Sequence, residues 1–179
     1  GGMIGHGAGA QWGGDAVTER GWGHRWLSEG VGTYFAARWT QFVRGDAVYR
    51  SEMATIRSRI LADKVVAERP VLDTAQTNYL SLLNTNSYQK GGYVLFMLNQ
   101  RLGDSAFRMG LRAYVERYRD GNAVSDDLRR ERERASGDSP APFFDQWLGR
   151  PGRASAHGGG GFEAGRHSGA VFAQLDVSA

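Results

Sequence analysis

The 179-residue sequence contains no cysteine. That absence excludes a disulfide framework, a thiolate metal site and a cysteine nucleophile, and it leaves the cellular compartment open. Lysine is almost missing as well, with Lys64 and Lys90 standing alone, so the pI of about 9.4 is an arginine property and the net charge is only +3. A balance of that size does not point to a nucleic-acid partner, and none is expected. Only 4 prolines stand against 26 glycines, an excess that predicts a chain loosely held in places. No stretch approaches the roughly 20 apolar residues that cross a membrane, and the first residues lack the basic and apolar regions of a signal peptide. What is present is ordinary globular material, 41% hydrophobic and 23% charged, of a length that suits one domain with a substantial core.

Composition divides the chain into zones. Residues 1 to 14 hold seven glycines, each of which costs an interior helix position roughly 0.5 to 1 kcal/mol relative to alanine. The opening Gly1-Gly2-Met3-Ile4-Gly5 reads as the interior of an element, so the chain is expected to start partway through a longer protein. From Gly21 to Phe42, Trp22, Trp26, Leu27, Val31, Tyr34, Phe35 and Trp39 recur mostly at steps of three and four, which predicts a helix with these aromatics in the core. Further helices are predicted over 46–67, over 88–102 with Gly103 as its cap, and from Phe107 through Leu111, Tyr114, Val115 and Tyr118 to an end near Asp120-Gly121. Ser125 reads as the N-cap of a helix that runs to Ser136-Gly137. The charge run from Asp126 to Arg134 in that helix reads as a solvated face with local ion pairs rather than a phosphate-binding stripe. A short helix over Phe143 to Leu148 follows. After Arg150-Pro151-Gly152 the tail passes through Gly158 to Gly161 and ends in an alternating stretch, Val171 to Val177, that predicts a strand.

Three blocks in order carry a family resemblance. His6-Gly7-Ala8-Gly9-Ala10-Gln11-Trp12-Gly13-Gly14-Asp15-Ala16-Val17-Thr18, followed by Trp26-Leu27-Ser28-Glu29-Gly30, resembles the active-site segment of the aminopeptidase N and leukotriene hydrolase family of zinc metallopeptidases, which reads HExxHQWxGxxVT and then WLNEG. Counted from Ala10, residues 11 to 28 fill the family's eighteen-residue gap and Glu29 falls at the position of the third zinc ligand. The second block, Tyr88-Gln89-Lys90-Gly91, is similar to the family's YEKG segment. The third, Ser125 through Ala135-Ser136-Gly137 to Phe143-Phe144-Asp145-Gln146-Trp147-Leu148-Gly149-Arg150-Pro151-Gly152, resembles its C-terminal helices.

The resemblance implies a mainly α fold, the helical part of a thermolysin-like gluzincin catalytic domain over residues 1–152, with residues 153–179 forming a Gly-rich linker and the start of a C-terminal β module. It also implies a chemistry. In the family, two histidines four apart on one helix and a glutamate from the next hold zinc, leaving the fourth position for water. A glutamate beside the first histidine moves the proton of that water, and a tyrosine supports the oxyanion. By position, His6 and Glu29 remain as zinc ligands and Tyr88 as the oxyanion donor. Gly7 stands where the general base belongs and Ala10 where the second histidine belongs. Zinc binding is therefore expected to be weak or absent and peptide hydrolysis lost. Other histidines are poor replacements: His24 lies five residues before Glu29, and His157 and His167 lie in the Gly-rich tail. The family's GxMEN-type segment, which recognises the substrate amine, is absent from the sequence. Two functions follow, a zinc aminopeptidase acting on peptide N-termini and a non-catalytic helical module that binds peptide or the upstream and downstream domains of its parent.

Overall fold

The computed structural model describes residues 17–137, 141–152, 154–155 and 174–175. A short strand, β1 (Val17–Glu19), leads through a 3-10 turn at Trp22–His24 into α1 (Trp26–Arg44). The apolar period of that stretch is realised in α1, where Trp26, Leu27, Val31 and Tyr34 are buried in one core with Val94, Leu95, Leu98, Phe107, Leu111 and Leu128. The two outer tryptophans depart from expectation: Trp22 is 55% and Trp39 53% exposed. Trp22 lies in the 3-10 turn ahead of the helix, against the Tyr79 ring, and Trp39 lies beside Phe42 near the helix's far end.

Gly45, at φ +86°, turns the chain into α2 (Asp46–Ala62). The single helix expected over 46–67 is broken at Asp63, which is extended and accepts from the Val65 N–H at 2.8 Å, capping a separate short helix α3 (Lys64–Glu68). An irregular stretch containing Pro70 and a 3-10 turn at Tyr79–Leu82 brings the chain to a π turn at Asn86–Lys90, which runs directly into α4 (Gly91–Leu102). Gly103 caps α4 at φ +77°, as expected, and α5 (Asp104–Tyr118) follows.

β2 (Gly121–Ala123) returns to lie parallel to β1, with Val17 opposite Gly121 and Glu19 opposite Ala123. Next comes α6 (Ser125–Ser136), ended by Gly137 in the left-handed region. Ser125 is its first residue rather than its cap. Asp127 instead reaches back to accept from the Val124 N–H at 2.9 Å. The face of α6 is also less solvated than its charges suggest, since Glu131 and Arg132 are buried at 4% and 0% exposure and Arg132 stands over the Phe107 ring at 4.0 Å. The fold closes with α7 (Ala141–Trp147), and then β3 (Ala154–Ser155) pairs antiparallel with β4 (Gln174–Leu175), inside the stretch expected to be a strand. The architecture is mainly α, and among the described residues no helix is long and apolar enough to cross a membrane.

Candidate functional site

Glu29 and Tyr88, which the sequence marks from blocks nearly sixty residues apart, meet where two helices cross. Glu29 occupies the first turn of α1 and is buried at 7% exposure. Tyr88 lies in the π turn ahead of α4, a geometry that redirects side chains relative to an α-helix. The crossing itself is built from glycine. A Cβ added to Gly30 would stand 2.8 Å from the Gly91 carbonyl carbon, and one added to Gly92 would stand 3.0 Å from Thr33 Cγ2. With no side chains in between, the backbones close up and the Tyr88 hydroxyl donates a hydrogen bond to the Glu29 carboxylate. Burial, followed by the charge and hydrogen bond of Glu29, raises the Tyr88 pKa above that of an ordinary phenol.

Arg25 is the third member of this cluster. It precedes Glu29 by one turn, so the two face each other along one side of α1, and its Nη2 lies 2.8 Å from Glu29 Oε1. Its Nη1 donates to Glu19 Oε1 at 2.5 Å, while the Ser28 hydroxyl donates to the other oxygen of Glu19 at 2.7 Å. The guanidinium lies 5.5 Å from the centre of the Tyr79 ring, and Trp22 packs against that ring at 4.6 Å. Burial alone would lower the Arg25 pKa, but the Glu19 hydrogen bond and the charges of Glu19 and Glu29 outweigh it and raise the value. Arg25 is a permanent cation gripping two carboxylates.

His24 turns elsewhere. Its Nδ1 accepts from the Ser125 backbone N–H at 3.1 Å and lies 2.9 Å from Ser125 Oγ, which also accepts from Trp26 Nε1 at 2.8 Å. Burial lowers the His24 pKa against the opposing charges of Asp127 and Glu19, and an Nδ1 that accepts a backbone hydrogen bond suits the neutral ring. His24 thus joins the start of α1 to the start of α6 instead of serving Glu29.

His6, Gly7 and Ala10 lie outside the described residues, as do His157 and His167. Among the described residues no group of three or more His, Asp or Glu side chains converges to hold a metal ion. The one ligand position described, Glu29, faces a guanidinium. Among the described residues the donor set therefore does not fit the zinc that the resemblance implies. Neither Arg25 nor Glu19 belongs to the family's ligand pattern, so that pattern does not mark them. The signal that was legible is the four-residue spacing of Arg25 and Glu29.

Comparison with known proteins identifies the family and the fold. The peptidase family M1 domain matches residues 2–147. Aminopeptidase M1-A of Oryza sativa subsp. japonica is 30% identical over 158 residues, covering 81% of this chain and 17% of that protein. Aminopeptidase N of Lactococcus lactis subsp. lactis is 29% identical over 161 residues, covering 84% and 18%. Among solved structures, the M1 zinc metallopeptidase from Deinococcus radiodurans superposes with a TM-score of 0.68 at 25% identity over 79% of this chain and 31% of that one. Yeast LTA4 hydrolase in complex with bestatin shares the fold with a TM-score of 0.72 at 23% identity, over 86% and 27%. The chain spans less than a third of the length of each of these proteins. With a family match over residues 2–147 and a fold that agrees, this chain belongs to peptidase family M1, a family of zinc aminopeptidases.

Proposed function

We propose that this chain is the helical part of an M1 peptidase catalytic domain that has kept its scaffold and lost peptide hydrolysis, acting as a non-catalytic module within a longer protein. The observation that carries this is the pair of substitutions in an otherwise intact register, Gly7 at the general-base position and Ala10 at the second histidine. Glycine cannot accept a proton, and one histidine fewer removes a zinc ligand, so two independent requirements fail together. The surroundings of Glu29 support the same reading. Neither Glu19 nor Glu29 is placed to stand in as the missing base, because both are ion-paired to Arg25.

The ancestral activity, hydrolysis of an N-terminal residue through a metal-activated water, remains the second reading, favoured by the Tyr88–Glu29 contact. An assay of the purified chain on a panel of aminoacyl-coumarin substrates, with and without added zinc, separates the two. The expected outcome is release at the buffer rate in both conditions. Zinc-dependent release that a chelator abolishes would overturn the proposal.

A further inference from the structure

We infer that Arg25 takes over the electrostatic place of the metal in this chain: its guanidinium is a built-in cation that satisfies Glu29 and closes the position to a divalent ion. The inference rests on the reading that Glu29 stands at the family's third zinc-ligand position, and it concerns a residue that the ligand pattern does not include.

A zinc ion bound to a glutamate stands about 2 Å from the carboxylate oxygen. Arg25 Nη2 already occupies one face of that carboxylate at 2.8 Å from Oε1, so a metal on Glu29 would lie within a few ångströms of a fixed positive charge in a partly water-excluded setting, where like charges repel strongly. The guanidinium cannot readily swing aside. Its other arm is tied to Glu19 at 2.5 Å, the second oxygen of Glu19 is held by Ser28 at 2.7 Å, and Glu19 is anchored in β1 by pairing with Ala123 in β2. The Tyr79 ring, braced by Trp22, borders the guanidinium. A planar fork that spans two carboxylates is a task for arginine, which presents several fixed donors, each able to serve a different acceptor.

The consequence is that three positions, not two, separate this chain from a zinc site. Rebuilding the ligand pattern with Gly7→Glu and Ala10→His alone leaves the cation in place.

The test is a calorimetric zinc titration of the full 179-residue chain in four forms: the natural sequence, G7E/A10H, and that double variant carrying either R25Q or R25K. Glutamine keeps a hydrogen-bonding amide toward the two carboxylates but removes the charge. Lysine keeps the charge but loses the planar fork. Far-UV circular dichroism checks the fold of each, and R25M replaces R25Q should the glutamine form not fold. The expected result is that the R25Q triple variant binds zinc at least ten-fold more tightly than the double, with the R25K triple close to the double. Tight binding by the double variant, unchanged by R25Q, overturns the inference and leaves the ligand register standing. Silence in all four forms overturns the register and the inference with it.

Discussion

Tyr88 donates its phenolic hydrogen to Glu29 across a helix crossing whose closest approach is Gly30 against Gly91. The contact exists because side chains are missing at the crossing, so the site depends on residues with no chemistry of their own. Gly30→Ala would place a methyl 2.8 Å from backbone that cannot rotate away. It is expected to cost about 2 kcal/mol of stability, the usual range for an overpacked contact, measured as a lower urea midpoint. Gly21→Ala is the control. Gly21 is extended, and a Cβ there meets nothing within 4 Å, so its midpoint should hold or rise slightly.

Ser125 links three groups, accepting from the Trp26 indole N–H and meeting His24 with both its backbone N–H and its hydroxyl. Ser125→Ala strands a buried indole donor. The expected loss is about 1 to 2 kcal/mol in chemical denaturation, while Ser125→Thr, which keeps the hydroxyl, should recover most of it.

Lys90 is buried, and its ammonium donates to the Gly152 carbonyl at 3.2 Å. Burial pushes its pKa down from the usual 10.5 to about 8. Below pH 8 the folded chain carries a poorly solvated charge. Between pH 8 and 10.5 the unfolded chain holds a proton that the folded one has given up, so stability rises with pH through that window. From about pH 7.5 to 9.5 the natural chain should gain about 2 kcal/mol. Lys90→Met should be flat over the same range in urea melts at stepped pH. An equal slope in both proteins would assign the rise to another group.

Arg132 fills the α5–α6 contact, where its Cδ would meet a Cβ on Gly110 at 2.8 Å and its guanidinium donates to the Phe107 carbonyl. Its volume matters more than its charge here. Arg132→Ala is expected to cost about 3 kcal/mol through the cavity it leaves. Arg132→Met, similar in reach, should stay within about 1 kcal/mol of the natural chain. Thermal melts of the two variants side by side give the comparison.

Much of this was legible in the sequence because local rules governed it. Trp26, Leu27, Val31 and Tyr34 marked the buried face of α1, and Gly103 and Gly137 the ends of their helices. The register that put Glu29 and Tyr88 in the same family pattern pointed to two residues that do touch. The misses share one cause, which is that burial is decided by partners remote in sequence. Trp22 and Trp39 lie on the apolar side of the pattern yet stay more than half exposed, whereas Arg132 lies in a charge run yet packs on Phe107. The break at Asp63 was hidden because a residue of ordinary propensity makes it, through a side-chain bond to the Val65 N–H. Arg25 was unreadable as a partner of Glu19, since their pairing needs the 3-10 turn between β1 and α1 to fold the chain back.

The parallel pairing of β1 with β2 sets an order of events for the growing chain. Glu19 can take its seat only once residues 121–123 exist to receive β1, and the neighbouring His24–Ser125 bond spans 101 residues. The helix crossing of Gly30 and Gly91 closes a shorter loop and can form first, since closing a longer loop costs more chain entropy and slows folding. In a nascent chain halted before residue 121, Tyr88 and Glu29 are both present, whereas the strand that receives Glu19 is not.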